Sequence, residues 1–315
     1  MRKNINTINI QGYVYQSNLE EKTVANETSA NYGKPYITGS IDVAIDENCM
    51  NVINVHYTYI TETTKSGNKN LTYGALKKIM TGKTVMTDGV ENALKVKCSP
   101  SIALNDFYPQ GSDELVSTVR NEGGFVTIIS QFDADEKSRN KFIVDMVINK
   151  VNHVEADPEK NIAEDFVRLQ GAIFNFRNDI LPFTAIVRNP AAIEYFEGLD
   201  ITGANPVYTQ IWGPILNSSV TVTHTTESAF GEDAVDVTTR KVREYVVTGA
   251  KKIPYEYNDP ETITEDEIKE AIQNRNVMLA DIKKRQEDYN NTKNNAISSM
   301  PVNTAPELPA GGFSF

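Results

Sequence analysis

The sequence predicts a mainly β protein with two related β modules, one long helix and a polar tail. A short phrase occurs twice, as INIQGYVY at 8–15 and VRLQGAIF at 167–174, and apolar residues alternate around Gln-Gly in both copies. Self-similarity at a long separation indicates repeated structural units. Beyond Tyr257 the alternation gives way to helical spacing, which ends the β region.

Length and composition fit a folded chain of more than one domain. The 315 residues, 40% of them hydrophobic, are enough for two domains that each bury a core. The sequence has no run of about 18 apolar residues and no apolar signal segment near Met1, so we expect a cytoplasmic protein with no membrane partner. Cys49 and Cys98 are expected to be buried thiols rather than a disulfide.

The first strand is predicted at residues 5–16, where alternation separates a core face from a solvent face. The core face holds Ile8, Ile10 and Val14, and the solvent face holds Asn9, Gln11, Tyr13 and Tyr15. Gly12 lies inside this strand, which suits a strand that bends sharply.

Further elements of the first module follow in a recognisable order. A hairpin, a helix and more strands are predicted at 36–45, 52–60, 71–80, 93–98, 125–130 and 141–151. Three strands, a helix and then further strands is the order of an OB-fold, a five-stranded Greek-key barrel. Other small barrels share this order.

The second module begins near Asp165 with the repeated phrase. Asn189 and Pro190 predict a helix start, because an amide cap precedes a residue with a preset φ, and Gly198 predicts its end. The strands around this helix are expected at 181–188, 206–212, 219–226 and 238–247. This helix follows two strands instead of three, which departs from the order of the first module.

A capping box at Thr264–Glu267 predicts the start of one amphipathic helix that runs to Arg285, with Lys283–Arg285 at its negative end. From Asn290 the composition is too polar to fold alone. The resulting division is an N-terminal OB-like domain, a second OB-like domain, an acidic linker with the helix, and a flexible tail with an aromatic tip, at 1–157, 158–255, 256–289 and 290–315.

Charge is unevenly distributed along the chain. The formal net charge of −11 argues against a protein that coats duplex DNA through a basic surface. Residues 56–97 nevertheless contain seven lysines and three acids, whereas residues 256–270 contain seven acids and one lysine. A local basic surface therefore remains compatible with the acidic whole.

Catalysis has little support in the sequence. The histidines His56, His153 and His224 are scattered, and nucleotide-binding glycine motifs and paired-cysteine zinc motifs are absent. Asp133, Asp135 and Glu136 could bind a cation, but a solvated acidic loop explains them better. We expect a non-enzymatic protein with no cofactor and no metal.

Binding to single strands is better supported, because such sites need aromatic faces for stacking and cations for phosphates. Aligning Gly12 with Gly171 places Phe174 at the position of Tyr15. The residues assigned to this surface are Tyr13, Tyr15, Arg168, Phe174, Phe176, Arg177 and Trp212. Tyr57 and Tyr59 share the parity of Ile53 and Val55 and are assigned to the core. The alternative is that these aromatics simply favour strands.

Lysines in the first module are candidate phosphate contacts, since they belong to the loop and helix that flank the groove of an OB-fold. They are Lys65, Lys69, Lys77, Lys78 and Lys83, and the alternative is a solvated helix face. Arg240, Lys241 and Arg243 in the last strand of the second module have the same two interpretations.

The tail ends in Phe313-Ser314-Phe315. A flexible tether with terminal aromatics is suited to docking into the pocket of another protein, with Phe313 and Phe315 as anchors. Polar tails also carry stray phenylalanines, so both interpretations stay open.

The strand Arg243–Gly249, followed by an acidic linker and the helix at 264–285, resembles the end of the barrel region in single-stranded DNA-binding proteins with tandem OB-folds, particularly those of bacteriophages. The resemblance is one of layout over nearly the whole chain. It implies a protein of the bacterial host cytoplasm that coats and protects single-stranded DNA in replication or recombination, and a tail that recruits replication or recombination proteins.

A phage structural or assembly protein is the rival hypothesis. Its β modules and helix would serve protein contacts only, which accounts equally well for the acidity. It gives no reason for aromatic residues on an outward strand face. Affinity for oligonucleotides that falls steeply with salt would distinguish the two.

Overall fold

The computed structural model describes residues 4–109, 112–157, 162–226, 228, 230–231, 234–256 and 263–298, and only the backbone of 218–226, 234–241 and 291–298. The proposed tail anchors Phe313 and Phe315 lie outside the described residues. The side chains of Arg240 and Lys241 also lie outside them. The protein is mainly β with a C-terminal helix, as the sequence predicts.

The first half of the chain forms a closed ring of five strands. Its elements are β1 Asn6–Thr23, β2 Pro35–Ala44, β3 Val52–Thr61, α1 Leu71–Met80, α2 Val85–Asp88, β4 Lys95–Phe107 and β5 Val116–Ile129. β1 pairs with β2 and β4, β2 pairs with β3, β4 pairs with β5, and β3 runs parallel to β5. This strand order, with a helix after the third strand, is that of the OB-fold.

The second half repeats the same pairing order. Its elements are β6 Asn140–Val154, β7 Phe166–Phe174, β8 Ile180–Val187, α3 Pro190–Glu197, β9 Val207–Gly213, β10 Ile215–Thr226, β11 Ala234–Tyr245 and β12 Gly249–Ala250. β6 pairs with β7 and β9, β7 pairs with β8, and β9 pairs with β12. Ile186 of β8 forms a parallel bridge to Val246, which closes this ring. The hairpin β10–β11 is inserted before the closing segment.

The position of β6 corrects the order inferred from the sequence. α3 follows three strands, because β6 is the first strand of the second ring and not a late strand of the first module. Gly12 therefore lies on the first strand of its ring, β1, whereas Gly171 lies on the second strand of the other ring, β7. The division at 157/158 stays a prediction, while the pairings group residues 140–154 with the strands that follow.

The two rings share one continuous ten-stranded sheet. β1 pairs antiparallel with β6 through residues 6–10 and 140–144. One core cluster spans both rings, from Ile10 and Val55 in the first to Leu169 and Phe183 in the second. The rings are thus joined by backbone hydrogen bonds and by a common core.

The C-terminal helix α4 spans Glu265–Ser298 and begins at the predicted capping box. The Thr264 amide donates to the Glu267 carboxylate at 2.9 Å, and the Glu267 amide donates to Thr264 Oγ1 at 3.2 Å. The helix continues past Arg285, so the cations at 283–285 lie in its interior and not at its negative end. Among the described residues, no helix combines the length and hydropathy needed to cross a membrane.

Candidate nucleic-acid interface

The two strand rings are the two barrels of the protein. A trough lies between them, where the outward face of β7 and β8 meets β4 and β5. Alternation along β7 buries Val167 and Leu169 and turns Arg168 and Gln170 outward. Gln170 pairs with Thr184 of β8. Together with Arg243, these outward residues line a cavity of about 740 Å³. Leu104, Phe183 and Ile186 add apolar surface to this lining.

This cavity is lined by two cations, Arg168 and Arg243, and by one acid, Glu244. The described part of the chain offers Arg168 no ion-pair partner; its guanidinium lies 5.3 Å from the ring centroid of Phe166. Arg243 donates to the Val119 carbonyl at 3.0 Å, which fixes it against β5. Glu244 accepts two hydrogen bonds of 2.9 Å from Arg188. The remaining charge at the cavity is therefore positive.

Two residues of the cavity lining, Phe183 and Tyr245, belong to a buried aromatic cluster with Phe142. Phe142, Phe183 and Tyr245 meet edge to face, with ring centroids 5.0–6.5 Å apart. Tyr245 donates its hydroxyl to Asn121 Oδ1 at 2.9 Å, across the boundary between the barrels. Burial raises the pKa of Tyr245 to about 12, so the phenol stays neutral at ordinary pH. The aromatic part of the cavity lining is therefore uncharged at ordinary pH.

The trough continues into a second cavity of about 540 Å³. Leu104 lines both cavities. Phe176 and Arg177, from the turn between β7 and β8, form one wall of the second cavity, and Met278 of α4 forms another. Phe176 is 79% exposed, and the Arg177 guanidinium lies 5.1 Å from its ring centroid. The trough thus contains Arg168, Phe176 and Arg177, three of the residues assigned from the sequence.

A second aromatic surface lies on the outward face of β2 and β3. The rings of Tyr36 and Tyr59 are 4.7 Å apart between centroids, and Tyr59 is 44% exposed. The assignment of Tyr59 to the core is wrong, because the register shifts between Ile37 and Gly39 and reverses the side-chain parity. In the sequence, the signal for this bulge is a glycine, Gly39, inside a predicted strand. In the structure, Gly39 has a φ of 121°.

Tyr13 does not belong to an exposed surface, contrary to the sequence-based assignment. Its side chain is 7% exposed, packs edge-on against Phe132 at 5.1 Å and donates to Glu47 at 3.2 Å. Gln11 is also buried. The loop after β5 folds over β1, where the Asp133 amide donates to Gln11 Oε1 at 2.9 Å. Burial raises the pKa of Tyr13.

Phe174 is likewise buried instead of exposed. It packs with Val147, Ile180 and Tyr208 in a small cluster that also includes Ala271 of α4. The alternation of β7 predicts an outward position for Phe174, but α4 covers this part of the strand. A base has no access to its ring.

Tyr15 and Trp212 are partly buried and line neither cavity of the trough. Tyr15 lies at a register shift between Val14 and Gln16. Trp212 lies on β9 with Lys141 Nζ 5.8 Å from its ring centroid. They remain predicted contacts separate from the trough.

The five lysines of the first module are exposed and line neither cavity of the trough. Lys77, on α1, pairs with Glu21. Lys65 and Lys69 lie in the loop after β3, where the backbone of Lys69 forms an isolated antiparallel β-bridge with that of Thr63. This loop is the continuation of the strand that carries Tyr59. Lys78 and Lys83 lie in and just after α1.

The acidic loop and His153 have structural partners, whereas His56 Nδ1 is buried with no hydrogen-bond partner among the described residues, and the side chain of His224 lies outside them. Asp133 pairs with Lys97 at 2.9 Å, and Asp135 accepts from the Lys137 amide at 3.1 Å. His153 Nδ1 lies 2.8 Å from Glu197, and this hydrogen bond raises the pKa of His153. Burial lowers the pKa of His56. Over the described ranges, no three His, Cys, Asp or Glu side chains cluster as metal ligands would.

Comparison with known proteins gives limited similarity. No curated protein matches the chain. A crystal structure of a deletion mutant of the single-stranded DNA binding protein from Thermus aquaticus is similar with a TM-score of 0.46 and 11% identity, and covers 83% of this chain and 100% of that chain. The wild-type protein gives 0.42 and 9%, with 84% and 99% covered. Values at this level establish no shared function.

The family comparison matches most of the sequence. The model of the YorF family matches residues 4–285, from just before β1 into α4. Both rings and the trough between them fall inside this range. The chain belongs to the YorF family.

Proposed function

We propose that the protein binds single-stranded DNA without reading its sequence. The observation that carries the proposal is the trough between the barrels, where Arg168, Arg243 and Arg177 line one surface with the exposed ring of Phe176. Cations in a groove hold the phosphates and aromatic faces stack the bases in sites of this kind. The Tyr36–Tyr59 pair supplies a second platform on the corresponding strands of the first barrel.

The acidity of the whole chain is compatible with this function. The net charge of −11 disfavours a duplex, whose phosphates require a broad basic surface. A single strand exposes its base faces, so stacking adds to a smaller number of phosphate contacts. In this proposal the protein binds DNA and catalyses no reaction.

The biological role we infer is the coating and protection of single-stranded DNA in phage replication or recombination. The layout of the chain supports this role. In the same proposal, Phe313 and Phe315 of the tail dock into replication or recombination proteins. Removal of the tail would then abolish partner capture and leave DNA affinity unchanged.

Fluorescence anisotropy of labelled oligothymidine and of a matched duplex, at low and moderate salt, tests the proposal. We expect salt-sensitive binding of the single strand only. Phe176→Ala and Arg168→Ala should each weaken binding by about 1–3 kcal/mol, the usual cost of a lost stack or a charged contact. Phe125→Ala is the matched control, because Phe125 is 75% exposed and lines neither cavity.

Two results would reject the proposal. Unchanged affinity in the Arg168→Ala/Phe176→Ala double variant would remove the trough as the site. No binding at low salt by the unaltered chain would favour the structural or assembly protein.

A further inference from the structure

α4 bridges the two barrels at one end of the trough. Arg275 of α4 donates two hydrogen bonds of 3.1 Å to the Asp106 carboxylate on β4, and these side chains are 10% and 4% exposed. Ala271, one turn earlier, is buried in the cluster with Phe174 of the second barrel. The helix is therefore held on both sides of the trough and has a fixed position across it.

The second cavity lies between this helix and the turn that joins β7 and β8. Asn274 and Met278 line it from α4, and Phe176 and Arg177 line it from the turn. Gly123 lines it from β5. Its volume of about 540 Å³ falls in the range of roughly 300–1,000 Å³ that is typical of ligand pockets. A group the size of a nucleotide is an appropriate occupant.

Arg177 is the cation of this cavity that an anion can reach. Two of the cavity's three acids are paired with arginines: Asp106 bonds to Arg275, and Glu122 accepts from Arg120 at 2.9 Å. The third, Asp179, accepts from the neutral Asn175 amide at 2.8 Å and keeps its charge. Arg177 has no ion-pair partner among the described residues. A phosphate that enters the cavity beside Phe176 therefore meets Arg177 as an available cation.

The apolar groups favour an unpaired base. Phe176 is 79% exposed and Met278 is 40% exposed, so both keep surface free for contact. A thioether adapts to irregular neighbours and contacts aromatic rings favourably. Bases in a duplex are stacked inside it and cannot reach a ring on a turn, whereas an unstacked base can.

We infer that α4 forms one wall of the nucleic-acid path. A single strand that occupies the Arg168 cavity continues past Leu104 and passes between the β7–β8 turn and α4. One base stacks on Phe176 and contacts Met278, and an adjacent phosphate binds Arg177. The helix thereby restricts this end of the site to a single strand. This inference rests on the proposed function and adds α4 to the binding surface.

Site-specific photo-crosslinking tests the wall. The photoreactive residue p-benzoylphenylalanine replaces Met278 in one variant of the full chain and Val277 in another, and each is irradiated with labelled oligothymidine. Adjacent residues on a helix point about 100° apart, and Val277 does not line the cavity. We expect severalfold more DNA adduct from position 278, and loss of that adduct when Phe176→Ala is added.

The outcomes separate this inference from the proposed function. Equal or absent adducts at both positions, with anisotropy still showing Arg168-dependent binding, would overturn the α4 wall and leave single-strand binding intact. Absence of binding in anisotropy would overturn the proposed function itself. Equal unfolding temperatures of the two variants exclude misfolding as the cause of a low yield.

Discussion

Tyr57 and Tyr59 are two residues apart on β3, yet Tyr57 is fully buried and Tyr59 is exposed. Regular alternation would put both on one face. The bulge opposite Thr38 inserts an extra residue and turns Tyr59 outward, beside Tyr36. The role of each aromatic residue is therefore decided by the local register and not by residue type.

This difference predicts opposite phenotypes for two tyrosines. Tyr59→Ala should weaken single-strand binding by about 1–3 kcal/mol and change stability little, because we propose its exposed ring as a stacking face. Tyr13→Ala should leave the affinity unchanged and destabilise the fold by about 3–5 kcal/mol, the usual cost of removing a buried aromatic ring. Anisotropy titration and urea unfolding of both variants check the prediction. Loss of affinity only in Tyr13→Ala would contradict it.

Alkaline pH should unfold the protein through its buried phenols and thiol. Burial raises the pKa of Tyr245 from 10.0 and that of Cys98 from 9.0, each to about 12. Since the folded state holds these protons more tightly, its stability is complete below the ordinary pKa values and falls as pH rises from 9.0 towards 12. Urea unfolding at increasing pH measures the loss, and Tyr245→Phe should reduce it. A flat stability profile over this range would contradict the prediction.

At the level of the strands, Gly12 and Gly171 occupy the same kind of tight packing site, although one lies on the first strand of its ring and the other on the second. A Cβ on Gly12 would lie 2.1 Å from the Ala44 carbonyl oxygen, and one on Gly171 would lie 2.0 Å from that of Val147. Both glycines allow a neighbouring strand to approach closely. The repeated phrase thus reports a common packing need rather than two equivalent strands.

Substitution of Gly12 tests this explanation. Gly12→Ala should destabilise the protein by about 1–3 kcal/mol, because backbone must shift to admit the methyl group. Gly74→Ala in α1 is the control: its Cβ meets nothing within 4 Å, and alanine should stabilise a helix interior by about 0.5–1 kcal/mol. Denaturant unfolding measures both changes. Equal effects of the two substitutions would reject the close approach as the reason for Gly12.

Local elements were predictable from the sequence, whereas long-range pairing was not. The limits of α1 and α3 follow from helical spacing and from the Asn189 cap, which are local signals. The assignment of β6 to the second ring depends on its pairing with β7 and β9. Phe174 is buried because α4 covers it, almost a hundred residues later in the chain. No local pattern reports such contacts.

For the whole molecule, the Arg275–Asp106 pair is the main polar contact between α4 and the first barrel. Arg275→Met leaves the Asp106 charge buried without its partner, so we expect a loss of about 3–5 kcal/mol. Asp106→Leu combined with Arg275→Met should recover much of that loss, since it removes both charges. Urea unfolding of the three proteins checks the order. A double variant less stable than Arg275→Met alone would contradict the expectation.

The pairing of β1 with β6 has a consequence for the binding of a DNA strand. Because backbone hydrogen bonds join the barrels, the Tyr36–Tyr59 pair and the trough keep a constant separation. In the proposed function both surfaces bind one DNA strand. Oligonucleotides too short to reach both surfaces would then have the affinity of one surface, and longer ones would gain the second contact at high effective concentration. Affinity would rise with oligonucleotide length in a single step, and the length at that step would measure the distance between the two surfaces.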